Sequence, residues 1–336
     1  MPRLPVEQFD AWSSQLVALY GRAEVDLRRT IASALTTPYN RRRAELLLQQ
    51  VESILDSLRQ GQQGWSERVL PRSYRAGRRL AAEALRFPVL PQMTLVQRRA
   101  VEAAIGRVAV DTSEALSSVA PFARRVWYDS AQRIVSEPTI ASLAAEGRVA
   151  GIGPRELGRR IQQTLRDGAV DRLRGHVDPE EAENLQRVAR GQFITILCKD
   201  GKRRSYNLRN YSDMVAQATS RMAATEGTIT QTLDFGGDLV AWSVSANPCS
   251  ECLSRQGNVY SLTGRNPDFP VLSDEDRPPI HPYCQHALVP ADEDGLRAAG
   301  VYERLSRFSQ SDETVENGVQ YASMLRRARG QRELAA

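Results

Sequence analysis

The sequence predicts a mainly α protein with a small α+β module set into it. Three observations carry that prediction. Apolar residues recur at three- and four-residue steps up to about residue 190, the period of amphipathic helices. Beyond residue 191 the pattern shifts to short β-prone runs separated by turn residues. Inside that second region, three cysteines and two histidines fall between residues 249 and 286, in a stretch rich in Pro, Gly, Asp and Ser. The expected organisation is a helical region over 1–190, a short-stranded Cys/His module over 191–291 and a helical C-terminal tail over 292–336.

The elements follow in order. Phe9, Trp12, Leu16, Leu19, Ala23 and Leu27 share one helix face. Leu47, Val51, Ile54 and Leu58 repeat with a heptad rhythm, as do Val101, Ile105, Val108 and Thr112. Thr36-Thr37-Pro38, the stretch from Pro88 to Pro91, and Gly151-Ile152-Gly153-Pro154 punctuate the run as breaks. Pro154 suits the first position of a further helix, with Leu157, Ile161 and Leu165 on its apolar face. Isolated helices of this kind are marginal in water, so each stripe requires a partner. Phe193, Ile194, Ile196 and Leu197 then form a β-prone run that leads into Lys199-Asp200-Gly201-Lys202, a hairpin turn signal. A helix is expected over 208–225, with Tyr211, Met214, Val215, Ala218 and Met222 at helical spacing. Gly236-Gly237 breaks the chain, and Val240, Trp242 and Val244 alternate as in a half-buried strand. Helix returns from Asp292 with Leu296, Val301, Leu305 and Phe308. A last amphipathic stretch carries Val315, Val319, Ala322 and Leu325 and ends on Arg326-Arg327.

Composition narrows the function classes. With 336 residues, 25% charged and 41% hydrophobic, the chain suits one or two folded domains and not wholesale disorder. It contains no run of about 18 consecutive apolar residues, so no membrane span is expected. The start, Met1-Pro2-Arg3-Leu4-Pro5, opens onto an amphipathic stretch containing acids, which is not a signal peptide pattern and points to cytosolic synthesis. The net charge of +5 tolerates a nucleic-acid neighbour without naming one. Nearly all the basic residues are arginine, and doublets such as Arg28-Arg29 and Arg78-Arg79 read as solvated helix faces. Four cysteines (Cys198, Cys249, Cys252, Cys284) are too few for a disulfide scaffold in a chain of this length.

The chemistry lies in the Cys/His segment. Pro248-Cys249-Ser250-Glu251-Cys252 is a C-x-x-C knuckle, answered by His281-Pro282-Tyr283-Cys284-Gln285-His286. Two thiolates separated by two residues can reach one ion from a tight turn, and a second pair from another turn completes a tetrahedron. His281 and Cys284 repeat the spacing of Cys249 and Cys252, so these four are the favoured metal ligands, with zinc as the expected ion. His286 is the alternative fourth ligand. It lies two residues beyond Cys284, so in an extended segment the two side chains share a direction. Four protein ligands make a closed structural site. Buried reduced thiols beside a hydrogen-bonded histidine, or a disulfide between two of the cysteines, are the competing readings. A zinc-deaminase reading matches Pro248-Cys249-x-x-Cys252 alone. The upstream half offers only His176-Val177-Asp178, with Asp in place of the catalytic Glu. A Cys–His nucleophile pair lacks a visible oxyanion hole. Cys198 reads as a core filler. No catalytic residue is assigned, and the chain is read as a non-enzyme.

Four segments together resemble the phage minor capsid protein family, related to the Mu-F-type head morphogenesis proteins. They are Lys199-Asp200-Gly201-Lys202-Arg203; the stretch from Leu208 to Val215; Asp238-Leu239-Val240 leading through the knuckle to Gln256-Gly257-Asn258-Val259-Tyr260-Ser261-Leu262-Thr263-Gly264; and the stretch from Pro279 to His286. The match covers about residues 191–291. Relative to the family pattern, Tyr283 stands where Asn is usual, Gln285 where Arg is usual, and an Arg is usual in the central helix near Gln217. The resemblance implies a virion protein inside the capsid at the portal vertex, acting in assembly, DNA packaging or DNA delivery. It would be made in the host cytoplasm, and few copies would sit in each head. Its implied partners are the portal protein and the major capsid protein, with non-specific contact to packaged DNA and no membrane. A nucleic-acid-binding zinc module is the alternative, but Glu251, Asp268, Asp274, Glu275 and Asp276 make the knuckle's surroundings acidic, where a recognition finger is basic.

Overall fold

The computed structural model describes residues 6–35, 41–88, 92–136, 179–197, 201–245, 248–281, 283–298 and 300–309. Several expectations lie outside these residues. They are the breaks at 36–38 and 151–154, the helix after Pro154, His176, Cys198, the first residues of the 199–202 turn, and the amphipathic stretch ending on Arg326-Arg327.

The described chain is mainly helical, as expected. Helices α1 (Val6–Leu35), α2 (Arg41–Leu85), α3 (Leu95–Ser117), α4 (Val119–Ser136) and α5 (Pro179–Ala189) come first. Strands β1 (Ile194–Leu197) and β2 (Arg203–Tyr206) and helix α6 (Leu208–Asp234) follow. Strand β3 (Leu239–Trp242), the four-residue helix α7 (Ser250–Leu253), strands β4 (Val259–Ser261) and β5 (Leu288–Ala291), and helices α8 (Glu293–Ala298) and α9 (Tyr302–Ser309) complete the order. No helix among the described residues is long and apolar enough to cross a membrane. The chain clusters into two compact units, one of residues 1–16, 63–108 and 213–336, the other of residues 17–62 and 109–212. The division falls inside α1, α2, α3 and α6.

In the second unit Leu27 of the expected α1 stripe and Leu47, Val51 and Leu58 of the α2 stripe are almost inaccessible, and Ile31 carries the buried α1 face one turn further than expected. The α2 stripe passes through Leu55, which is fully buried, while Ile54 is only half-buried. A polar core runs through this unit: the Tyr20 hydroxyl donates to Gln62 Oε1, and Gln62 Nε2 donates to Thr112. Burial, then the neighbouring Tyr211, pushes the Tyr20 phenol well above its ordinary range, so it remains a donor. β1 and β2 pair antiparallel from Ile194 opposite Tyr206 to Leu197 opposite Arg203, the hairpin that the turn signal predicts.

The first unit carries the Cys/His segment. Its helices α2 and α6 meet backbone to backbone. A Cβ placed on Gly77 would lie 1.8 Å from the Ala224 carbonyl oxygen, and one on Gly227 would lie 2.0 Å from that of Tyr74. The Thr228 hydroxyl seals the crossing by donating to the Gly77 carbonyl at 3.2 Å. This contact explains why α6 runs to Asp234, past the end expected near residue 225. Gly227 and the threonines beyond it are poor helix formers, but here tertiary packing outweighs propensity. The helix stops at Gly236, whose φ of 75° suits the left-handed cap. Met222, expected on the buried face, is 48% exposed, and the small residues Ala216, Ser220 and Ala224 are buried in its place.

Strands β4, β3 and β5 form an antiparallel sheet with β3 in the centre. Leu239 and Ala241 pack with Val259, Phe269, Leu296, Tyr302 and Leu305 on one face. Val240 and Trp242 pack with Ile229, Tyr260, Leu272 and Leu288 on the other. The strand expected to be half-buried is therefore buried on both faces, because α8 and α9 cover the side predicted to meet solvent. The core extends beyond residue 291 to Leu305.

Asp238, at the head of β3, organises the loop after β4. Its carboxylate accepts from the Ser261 hydroxyl, the Thr263 hydroxyl and N–H, and the Asn266 N–H. Burial alone would raise its pKa, but these hydrogen bonds outweigh burial and hold it below 3.8. A carboxyl with a depressed folded-state pKa contributes stability above its unfolded pKa, and that contribution is lost as pH falls through the folded value. Asp238→Asn is accordingly expected to cost about 1–2 kcal/mol near neutral pH. In thermal melts the gap from wild type should stay constant from pH 6 to 8 and close below about pH 4; a gap independent of pH would refute this role.

Candidate metal centre

The two halves of the Cys/His segment meet at one end of the sheet, where β3 ends and β4 and β5 begin. Cys249 caps α7: its sulfur accepts from the Cys252 N–H at 3.4 Å and its carbonyl accepts from the Leu253 N–H at 3.0 Å. The C-x-x-C spacing is thus a helix cap followed by its third residue, which brings both sulfurs to one side of a single turn. The second half enters through another tight turn, closed by the Cys284 N–H donating to the His281 carbonyl at 3.2 Å. Tyr283 within it has a φ of 64°, a conformation in which Asn is far easier to accommodate.

All five candidate donors come together around Cys252. Its sulfur lies 3.0 Å from His281 Nε2 and 3.7 Å from the Cys284 sulfur. Cys249 Sγ lies 2.9 Å from His281 Nε2, and Cys284 Sγ lies 3.6 Å from His286 Nδ1. The donors form two triads, Cys249–Cys252–His281 and Cys252–Cys284–His286, each close enough to hold a metal ion and sharing only Cys252. Cys252, Cys284 and His286 are buried, Cys249 is exposed and His281 is half-buried. The three cysteines are free. The Cys252–Cys284 separation is far beyond a sulfur–sulfur bond of about 2.05 Å, so the disulfide reading does not describe this arrangement. Burial, then the adjacent Cys249 and Cys284 sulfurs, pushes the Cys252 thiol pKa up. A bound cation reverses that penalty by stabilising thiolates.

The surroundings hold the donors in place. Gln256, buried and four residues beyond Cys252, accepts the Ser245 N–H on Oε1 at 2.6 Å, and the same oxygen faces His286 Nε2 at 3.2 Å. The Trp242 indole packs on the His286 ring, 5.3 Å between centroids, and donates to the Asp276 carbonyl at 2.8 Å. Burial, then His281 and Arg221, lowers the His286 pKa to about 4, so the ring is neutral at physiological pH. From α6, the buried Arg221 donates to the Cys284 carbonyl at 2.9 Å and to Gln217 Oε1 at 3.1 Å, and Gln217 Nε2 donates to Asp10 at 3.1 Å. Arg221 therefore places a guanidinium one helical turn from Gln217.

Sequence reasoning found the five donors but missed Gln256, Arg221 and the contact of Trp242 with His286. The four-residue step from Cys252 to Gln256 was a usable signal, since the turn after α7 keeps a helical hydrogen bond, the Gln256 N–H donating to the Cys252 carbonyl at 3.2 Å. Nothing in the chain marks Arg221 among so many arginines.

Fold and site together define a helical protein bearing a small α+β module with a Cys/His cluster able to hold a metal ion. No family model, no curated protein and no solved structure matches this chain.

Proposed function

We propose that the chain is a structural minor capsid protein of a tailed phage or prophage, acting inside the head near the portal. In this reading the Cys/His cluster is a closed zinc site that staples the module and performs no catalysis. The observation that carries it is the convergence of all five motif donors on Cys252, supported by the placing of β3 and β4 within a segment that carries the family resemblance. Zinc–sulfur bonds of about 2.3 Å and zinc–nitrogen bonds of about 2.0 Å give tetrahedral edges of about 3.8 Å between sulfurs and about 3.5 Å between sulfur and nitrogen. The Cys252–Cys284 and Cys284–His286 separations, 3.7 and 3.6 Å, fit those edges. Three thiolates and an imidazole are a donor set that zinc favours, and with four protein ligands no coordination position is left for a substrate.

The helical remainder is the docking surface for portal and major capsid proteins. A nucleic-acid-reading knuckle is less well supported. Arg255 beside α7 is tied to Asp276 at 2.7 Å, and Arg277 bonds Glu226 at 3.2 Å and lies 3.4 Å from Asp274.

The test is the location of the protein. An antibody or tag on the chain should find it in purified particles at low copy number and recover portal protein from infected-cell lysates. Absence from particles, with no portal protein recovered, would overturn the reading.

A further inference from the structure

We propose that His286, through Nδ1, is the histidine that ligates the ion, and that Gln256 is the positioning residue that holds its ring for that task. The proposal rests on the metal reading above and decides between the two histidines, which the motif alone leaves open.

The hydrogen bonds assign the His286 tautomer. Gln256 Oε1 already accepts the Ser245 N–H at 2.6 Å, so the atom facing His286 is the amide oxygen and not its nitrogen. A carbonyl oxygen can only accept, so His286 Nε2 carries the proton and donates across the 3.2 Å contact. The neutral ring then bears its lone pair on Nδ1, the atom 3.6 Å from the Cys284 sulfur. A metal-binding histidine usually donates its other ring N–H to a carbonyl or carboxylate, which fixes both tautomer and orientation. His286 has that arrangement without a metal having to impose it. Trp242 packs against the ring, 5.3 Å between centroids.

His281 is placed differently. Its Nε2 lies 2.9 and 3.0 Å from the sulfurs of Cys249 and Cys252. Both distances are hydrogen-bond separations, shorter than the sulfur–nitrogen edge of about 3.5 Å between two ligands of one zinc ion. A zinc ion with three thiolates carries a net negative charge, and an imidazole N–H donating to two of those sulfurs offsets it from outside the coordination sphere. The buried members Cys252, Cys284 and His286 thus form the inner part of the site. Cys249 belongs to the other triad with His281, so a fourth ligand from it requires its exposed sulfur to move toward Cys284 and His286, while His281 supports the sulfurs.

The two histidines would ligate through different nitrogens, and this makes the proposal testable in the wild-type protein. The full chain has only three histidines, so ¹⁵N-histidine NMR of the zinc-loaded protein gives few signals. A zinc-shifted Nδ1 on a ring protonated at Nε2 is expected; a zinc-shifted Nε2 would overturn the assignment. Zinc affinity, measured by competition with a chromophoric chelator, should fall at least about 100-fold in His286→Ala and less than about 10-fold in His281→Ala. Gln256→Leu should weaken binding about 10- to 100-fold, and Gln256→Glu, still an acceptor, should restore it. Loss in His281→Ala with retention in His286→Ala, or a neutral Gln256→Leu, contradicts the proposal and leaves the metal reading intact. A wild-type chain that takes up no zinc refutes both.

Discussion

Gly227→Ala, and equally Gly77→Ala, is expected to destabilise the site-bearing unit by about 2–4 kcal/mol, on the scale of overpacking a filled core. Elsewhere in a helix the same change would help, because alanine is favoured over glycine by about 1 kcal/mol. Here the new methyl group meets backbone: Ala224 O at 1.8 Å from the Gly77 position and Tyr74 O at 2.0 Å from Gly227. Neither carbonyl can swing aside as a side-chain tip would, so the helices have to part. Parting them loosens the cluster of Leu70, Tyr74, Val101, Val108 and Ala223 that the crossing holds together. Gly106 of α3 is the control, since a methyl group there meets nothing within 4 Å. Gly106→Ala should stabilise by roughly 0.5–1 kcal/mol. Denaturant melts of the three variants test this through opposite signs for one chemical change. A stabilised Gly227→Ala would show that the two helices do not touch in this way.

Cys252→Ser is the second change with a large expected effect. Cys252 is the one donor common to both triads and is 1% exposed, among Val240, Trp242, Tyr260 and Leu288. Serine replaces a soft ligand and apolar core atom with a hydroxyl that has to find a partner in a buried site, a cost of about 1–3 kcal/mol even before metal is considered. If the cluster holds zinc, metal affinity is lost as well, and the melting temperature should stop responding to added zinc. Cys249→Ser, at the exposed end, should reduce affinity and leave the apo protein nearly as stable as before. Equal effects at both positions would contradict the division into buried and exposed donors.

How far the sequence alone reached depended on whether the deciding contact was local. The α1 stripe and the two halves of the knuckle were legible because their spacing is fixed by one helix or one turn. The hairpin was legible for the same reason. The second half of α6 was not: Gly227, Thr228 and Thr232 have low helix propensity, and only the approach of α2 makes that stretch helical. The depth of β3 was hidden too, since Leu239 and Ala241 are covered by α8 and α9, more than fifty residues further along the chain. Arg221 reaches the Cys284 carbonyl across 63 residues of sequence, which no periodicity can reveal. The positive φ of Tyr283 belongs to the folded turn, and the residue type does not announce it.

The claim most exposed to refutation is that a metal ion holds the Cys/His module together. Elemental analysis of the full chain, purified without chelator or added metal, tests it most directly when paired with a thermal melt before and after stripping. The account predicts a single zinc ion per chain, and a melting temperature that falls by on the order of 10 °C on stripping and recovers with zinc. A chain that emerges metal-free, melts at the same temperature with or without zinc and keeps Cys249, Cys252 and Cys284 reactive would contradict it.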